Sequence, residues 1–161
     1  MKQTRIITLI TLIVITFLFT LVELYAKKAP PIALKDLKGN WHFLSKMVKK
    51  NPVIVSFWAT YCVPCKKEIK MLKEAKISIP VYYINIDKSS DLEKVKKKIK
   101  DWGIPHTILL DFYQKTIKRY TPNLVVPSTF LISKRKRVIR KIEGFSEKKL
   151  QKFIKYCKKL K

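Results

Sequence analysis

The chain has 161 residues, 47% of them hydrophobic and 29% charged. That balance excludes an intrinsically disordered chain and supplies enough apolar material for one ordinary domain with a core of its own. Lys and Arg number 36 against 11 Asp and Glu, a net charge of +25. Nearly all of the bases are Lys and only five are Arg, the residue suited to bidentate phosphate and base recognition, so a nucleic-acid-binding domain has charge behind it but no recognition motif.

The first 26 residues read as a targeting segment. Lys2 and Arg5 precede an uncharged apolar run of 17 residues, Ile6 to Val22. A positive start followed by an apolar stretch is an export signal. The run is at the lower edge of the roughly 17–25 residues needed to cross a bilayer. Cleavage after Ala26 would place the large Leu24 at position −3, so an uncleaved anchor is favoured. The basic start then stays in the cytoplasm and the rest of the chain lies on the far side, where disulfide chemistry persists. That remainder carries 34 bases and 10 acids, +24. The charge reads as a solvated Lys-rich surface, with attraction to anionic headgroups beside the anchor as the functional alternative. Residues 27–31, Lys-Lys-Ala-Pro-Pro, read as a short stiff linker, leaving 32–161 as the folded domain.

Within that domain strands and helices alternate. Val53 to Trp58 is a continuous apolar run and predicts a buried strand. Pro64 to Ala75 predicts a helix with Ile69, Leu72 and Ala75 on one face. Val81 to Ile86 predicts a strand, Asp91 to Trp102 a helix striped by Leu92, Val95, Ile99 and Trp102, and Thr107 to Leu110 a short strand. Thr116 to Tyr120 predicts a short helix. Thr129 to Ser133 and Val138 to Glu143 predict a hairpin around the basic tip Lys134-Arg135-Lys136-Arg137. Glu147 to Leu160 predicts a closing helix capped by Ser146. The order implies an α/β fold whose parallel central strands are covered by helices, with an antiparallel hairpin at one edge.

Chemistry concentrates at Cys62-Val63-Pro64-Cys65, a C-x-x-C pair that follows a buried strand and opens a helix. There the two sulfurs fall within bonding reach across the first turn. The first faces the unpaired N–H groups and positive end of the helix, which favour a thiolate. The thiolate is the attacking species in disulfide exchange. Pro64 suits the first turn, where a missing N–H costs little. A zinc site needs about four ligands, and only the remote His42 and His106 could add to one C-x-x-C. Haem attachment fails because Lys66 follows Cys65. A purely structural disulfide would be an unusual staple at a strand–helix junction. The remaining thiol, Cys157, sits on the apolar stripe of the last helix with Leu150, Phe153 and Ile154, and reads as a buried small hydrophobe. Trp102 reads as core, His106 as part of a loop or strand start, and Asp111 as shaping the loop after its strand.

Trp58-Ala59-Thr60-Tyr61-Cys62-Val63-Pro64-Cys65-Lys66-Lys67-Glu68 resembles the signature of the TlpA/ResA-type membrane-tethered thioredoxin-like proteins. Leu34 to Gly39 is similar to the hairpin that precedes that family's core, Val126-Pro127-Ser128-Thr129-Phe130 to its cis-proline loop, and Gly144 to the glycine after its last strand. The resemblance implies a thioredoxin-like fold, a central mixed sheet flanked by helices with an N-terminal β extension. It implies that Cys62 attacks a substrate disulfide and that a more buried Cys65 resolves the mixed disulfide. Pro127 would be cis and lie against the pair. With Val126, Trp58, Tyr61 and Pro64 it makes up the expected substrate-binding set, Trp58 packing beneath the site and shaping it. Glu68 would handle the proton of Cys65, against the alternative of a solvated helix residue paired with a nearby Lys. No metal or other cofactor is implied beyond the redox-active disulfide itself.

Two departures stand out. Tyr61 precedes the pair where thioredoxins often carry Trp, and the strand from Val53 to Phe57 lacks the buried Asp of thioredoxins, which leaves Glu68 the better proton carrier. The implied role is a reductant of disulfides in exported proteins, apocytochrome c among them, recharged by a membrane electron carrier of the DsbD/CcdA kind. The rivals are a disulfide-forming oxidase of the same fold and a Cu(I)-binding chaperone, for which the two-residue spacing and the unplaced histidines are poor.

Overall fold

The computed structural model describes residues 7–8, 10–17, 27–105 and 107–160. Residues 7–8 and 10–17 are helical, and among the described residues no helix is long and apolar enough to cross a membrane. Much of the predicted anchor Ile6–Val22, the point after Ala26 and His106 lie outside the described residues.

The strands are β1 (Ala33–Asp36), β2 (Trp41–Phe43), β3 (Val53–Trp58), β4 (Val81–Asn85), β5 (Ile108–Leu110), β6 (Ser128–Ile132) and β7 (Val138–Glu143). They form one mixed sheet in the order β2-β1-β5-β4-β3-β6-β7. The helices are α1 (Leu44–Met47), α2 (Val63–Glu74), α3 (Leu92–Trp102), α4 (Lys115–Tyr120) and α5 (Glu147–Lys159). This is the expected mixed sheet flanked by helices. β3 pairs parallel with β4 and antiparallel with β6, and β4 pairs parallel with β5. Every residue of β3 is buried, which explains its unbroken apolar run: a strand covered on both faces has no solvent side to alternate with. Burying side chains such as Val55, Phe57 and Trp58 stabilises the fold by about 1.5–3 kcal/mol each before entropy is counted.

Small differences from the predicted elements have local causes. α2 begins at Val63 because Cys62, in extended conformation, is its N-cap, and Pro64 takes an early position where no N–H is needed. Asp111 accepts hydrogen bonds from the backbone N–H of Thr116 and Ile117 and so fixes the start of α4. The β1–β2 hairpin turns around Asp36, which accepts bonds from the backbone N–H of Lys38 and Asn40 and lies 2.9 Å from His42 Nε2. α1 is a single turn, too short to show in a periodic pattern.

The predicted linker is fastened to the domain. Ala29 is buried, Lys28 bridges to Arg137, Ala29 N–H donates to Lys136 O, and Val138 N–H donates to Lys27 O. Registers define two ends of the sheet. At one, Trp58 lies beside Asn85, Phe57 beside Ser128 and Ser128 beside Glu143. At the other, Val53 lies beside Ile132 and Ile132 beside Val138, where residues 27–29 are attached.

Candidate active site

The redox pair is placed by the strand that precedes it. β3 ends at Trp58, the chain turns through Ala59 to Tyr61, and α2 starts beyond Cys62. Cys62 N–H donates to Ala59 O, and Cys62 Sγ accepts from the backbone N–H of Cys65 at 3.2 Å. That is an N-cap contact made by sulfur, and it places the first cysteine at the positive end of the helix. Cys62 and Cys65 form a disulfide with Sγ atoms 2.02 Å apart. Cys62 keeps 5% exposure and Cys65 none, so an incoming thiolate meets Cys62 first. The Val126–Pro127 peptide bond is cis, Pro127 is buried, and Pro127 O accepts from Gly144 N–H, tying this loop to the end of β7.

Of the other residues expected at the site, Tyr61 is 67% exposed and Pro64 is exposed, while Val126 is half-buried. Tyr61 keeps its phenol proton above the usual range, through burial first and then the charge of Asp87. Trp58 is fully enclosed and packs against Trp102 with ring centroids 5.5 Å apart. Fully enclosed, its ring offers no surface to a substrate in this structure, against the expected place of Trp58 in the substrate-binding set.

Glu68 is not a solvated helix residue. It is 1% exposed, on the α2 face that also buries Cys65, Ile69 and Leu72. Glu68 Oε1 accepts from Ser56 Oγ at 3.0 Å and Thr129 Oγ1 at 2.6 Å. Oε2 has no hydrogen-bond partner among the described residues. Burial raises the carboxyl to about 7, against the smaller opposing effect of the two hydroxyl bonds. Tyr83 shares the pocket: burial and then the Glu68 charge push its phenol well above the usual range. A carboxyl one helical turn from Cys65, poised near neutrality, has the chemistry to exchange a proton with that thiol.

Sequence reasoning missed a second cluster. Asp87, 6% exposed just past β4, accepts from Thr60 N–H at 2.8 Å, Thr60 Oγ1 at 2.9 Å and Asn85 Nδ2 at 2.6 Å. It pins the turn that leads into Cys62 to the neighbouring strand. Its signal in the sequence is two polar residues, Asn85 and Asp87, around Ile86 where an apolar strand ends. Ser56, lone and polar inside β3, was the corresponding signal for the Glu68 pocket. His42 is committed to Asp36, and among the described residues no group of three or more His, Cys, Asp or Glu is arranged to hold a metal ion.

A disulfide at a helix N-terminus, with a cis-proline loop at the same end of the sheet and a buried carboxyl one helical turn along, suits dithiol–disulfide exchange, and with its fold marks a thioredoxin-like thiol–disulfide oxidoreductase. Known proteins agree. The AhpC/TSA family model matches residues 25–141. The thiol-disulfide oxidoreductase ResA of Bacillus thuringiensis subsp. konkukian is 31% identical over 137 residues, covering 83% of this chain and 77% of that protein. ResA of Geobacillus kaustophilus is 31% identical over 121 residues, covering 72% and 67%. Among solved structures, the thioredoxin domain of a thiol-disulfide oxidoreductase from Bacteroides vulgatus superposes with a TM-score of 0.67 at 24% identity, covering 81% of this chain and 95% of that one. A thio-disulfide isomerase from Thermus thermophilus superposes at 0.65 with 22% identity, covering 84% and 97%; both structures speak to the fold. The chain belongs to the AhpC/TSA family, among its TlpA/ResA-type thioredoxin-like oxidoreductases.

Proposed function

We propose that this oxidoreductase works outside the cytoplasm as a reductant of disulfides in exported proteins, the haem-attachment thiols of apocytochrome c being its best candidate substrate. The Cys62 thiolate attacks one sulfur of the substrate disulfide; that bond breaks, a mixed disulfide forms, and the first substrate thiolate takes a proton. Cys65, deprotonated toward Glu68, then attacks Cys62 Sγ. The Cys62–Cys65 disulfide forms, the second substrate thiolate leaves, and the substrate has gained two electrons and two protons. A membrane dithiol carrier of the DsbD/CcdA kind would return the two electrons.

The buried Glu68 supports exchange through Cys65, and the lean capping of Cys62 supports the reductant direction. Resolution by Cys65 needs a base at neutral pH, and the carboxyl is raised to about 7. The cap contact at Cys62 Sγ is a single backbone N–H at 3.2 Å, with no cationic hydrogen-bond partner among the described residues. An oxidase needs a strongly stabilised first thiolate. Export is supported by the basic start and apolar run before Lys27. Equilibration in dithiothreitol and glutathione buffers tests the direction. A potential near that of thioredoxin, about −270 mV, supports the reductant; a value near about −120 mV makes the protein a disulfide donor.

A further inference from the structure

The pole of the sheet farthest from the redox pair carries a feature the exchange chemistry does not use. Residues 27–29 are hydrogen-bonded to the β6–β7 tip, so Lys27 and Lys28 sit beside Lys134-Arg135-Lys136-Arg137 although more than 100 residues separate them in sequence. A groove beside them is floored by Tyr120, Val138 and Ile139 and edged by Arg119 and Arg140. Lys27, Lys28, Arg119, Lys134, Lys136 and Arg140 are all exposed. None of these six forms an ion pair with a carboxylate among the described residues. Arg140 is held over the Tyr156 ring at 4.5 Å, which fixes its position without neutralising it.

Where this face lies relative to the N-terminal segment narrows its partner. Only four residues separate Val22, the end of the apolar run, from Lys27. Fully extended, that stretch reaches at most about 18 Å. Lys27, at the edge of the face, is therefore held within about two Debye lengths of wherever the apolar run resides. We propose that it is a docking surface for the anionic phospholipid headgroups of the membrane in which that run is seated, orienting the domain with Cys62 and Cys65 pointing away from the bilayer. The inference rests on the reading of residues 6–22 as a membrane anchor.

The test uses the full oxidised chain in vesicles of phosphatidylcholine, alone or with about one third phosphatidylglycerol. Nitroxides at Lys134→Cys, on the face, and at Tyr113→Cys, on an 81% exposed side chain elsewhere, report collisions with a nickel-chelating headgroup. Docking predicts that collisions at position 134 rise at least about threefold with phosphatidylglycerol, while position 113 does not respond. The rise should vanish in about 0.5 M salt and in the variant K28E/K136E/R140E, whose turnover should match that of the parent. Equal collisions at position 134 in both vesicles, or a rise that salt leaves intact, would overturn it. So would preferential binding of the face to soluble polyglutamate, which would make it a protein-docking surface. Flotation on pure phosphatidylcholine reads the anchor separately. A chain that fails to float there but shows the salt-sensitive rise keeps the face and loses the anchor; one that floats without the rise keeps the anchor and loses the face.

Discussion

Two carboxylates lie near the redox helix, both almost wholly buried, and their surroundings treat them in opposite ways. Asp87 receives two N–H donors, from Thr60 and Asn85, besides the Thr60 hydroxyl. Both N–H groups meet Oδ2, and an amide N–H can only donate, so that oxygen is held as an acceptor that ties Thr60 to Asn85. Glu68 receives two hydroxyls, from Ser56 and Thr129, and nothing on its second oxygen. Hydroxyls can turn and accept, so this pocket tolerates the acid as well as the carboxylate. Partner type, more than depth, separates the acid that holds a loop from the one proposed to move a proton.

The largest effect that bears on this contrast comes from removing the group Glu68 serves. Cys65→Ser should abolish turnover and accumulate a mixed disulfide on Cys62, visible by mass spectrometry under non-reducing conditions. Rapid release of substrate from that variant would show that resolution does not need Cys65, and Glu68 would lose its task.

Glu68→Gln comes next. It keeps size and hydrogen bonding but cannot carry the proton, so resolution should slow by about 100-fold and lose its dependence on pH near 7. The same substitution has a signature in stability. The folded carboxyl titrates at about 7 against 4.5 when unfolded, so folding favours the protonated form. Its contribution is complete below pH 4.5 and declines as pH rises through 7, by up to about 3 kcal/mol. Urea unfolding across pH 4–8 should show that decline in the parent and a flatter profile in Glu68→Gln. Parallel profiles would mean the carboxyl is not perturbed.

Asp87→Ala should behave differently. It strands two N–H donors and should cost about 2 kcal/mol in urea unfolding, with no change in the pH dependence of the resolution step. A shifted pH profile would show that Asp87 also handles protons and would break the contrast. The smallest effect is expected at Cys157→Ser, about 1 kcal/mol for a hydroxyl in an apolar site with turnover unchanged.

Much of this was legible beforehand, for reasons that can be named. The alternation of apolar runs and helical stripes gave β3, β4, α3 and α5 within a residue or two, because each buries a face long enough to set a period. The C-x-x-C pair announced itself because its chemistry depends on local spacing. Glu68 stayed undecided because its neighbours are Lys66, Lys67 and Lys70, which suggest a solvated face. Yet it lies three residues after Cys65 and four before Leu72, the spacing of the buried stripe. Ser56 and Thr129 could not be assigned to it because they meet only through the antiparallel register of β3 and β6. Asp87 escaped because a loop acid looks alike whether it faces solvent or Thr60. The basic pole was legible only as the separate tip Lys134 to Arg137, since Lys28 and Arg137 become neighbours only once the chain has folded.

Cys157 has a consequence for stoichiometry. A protein that trades disulfides is its own most available substrate, and a third reactive thiol would open routes to scrambled pairings. Cys157 is fully enclosed in α5, and burial pushes its thiol up to about 11. Near pH 7 only about one molecule in ten thousand carries it as thiolate. The chain therefore stores one electron pair per molecule, at one address, and an alkylating agent added to the folded, reduced protein should react at Cys62 and leave Cys157 unmodified.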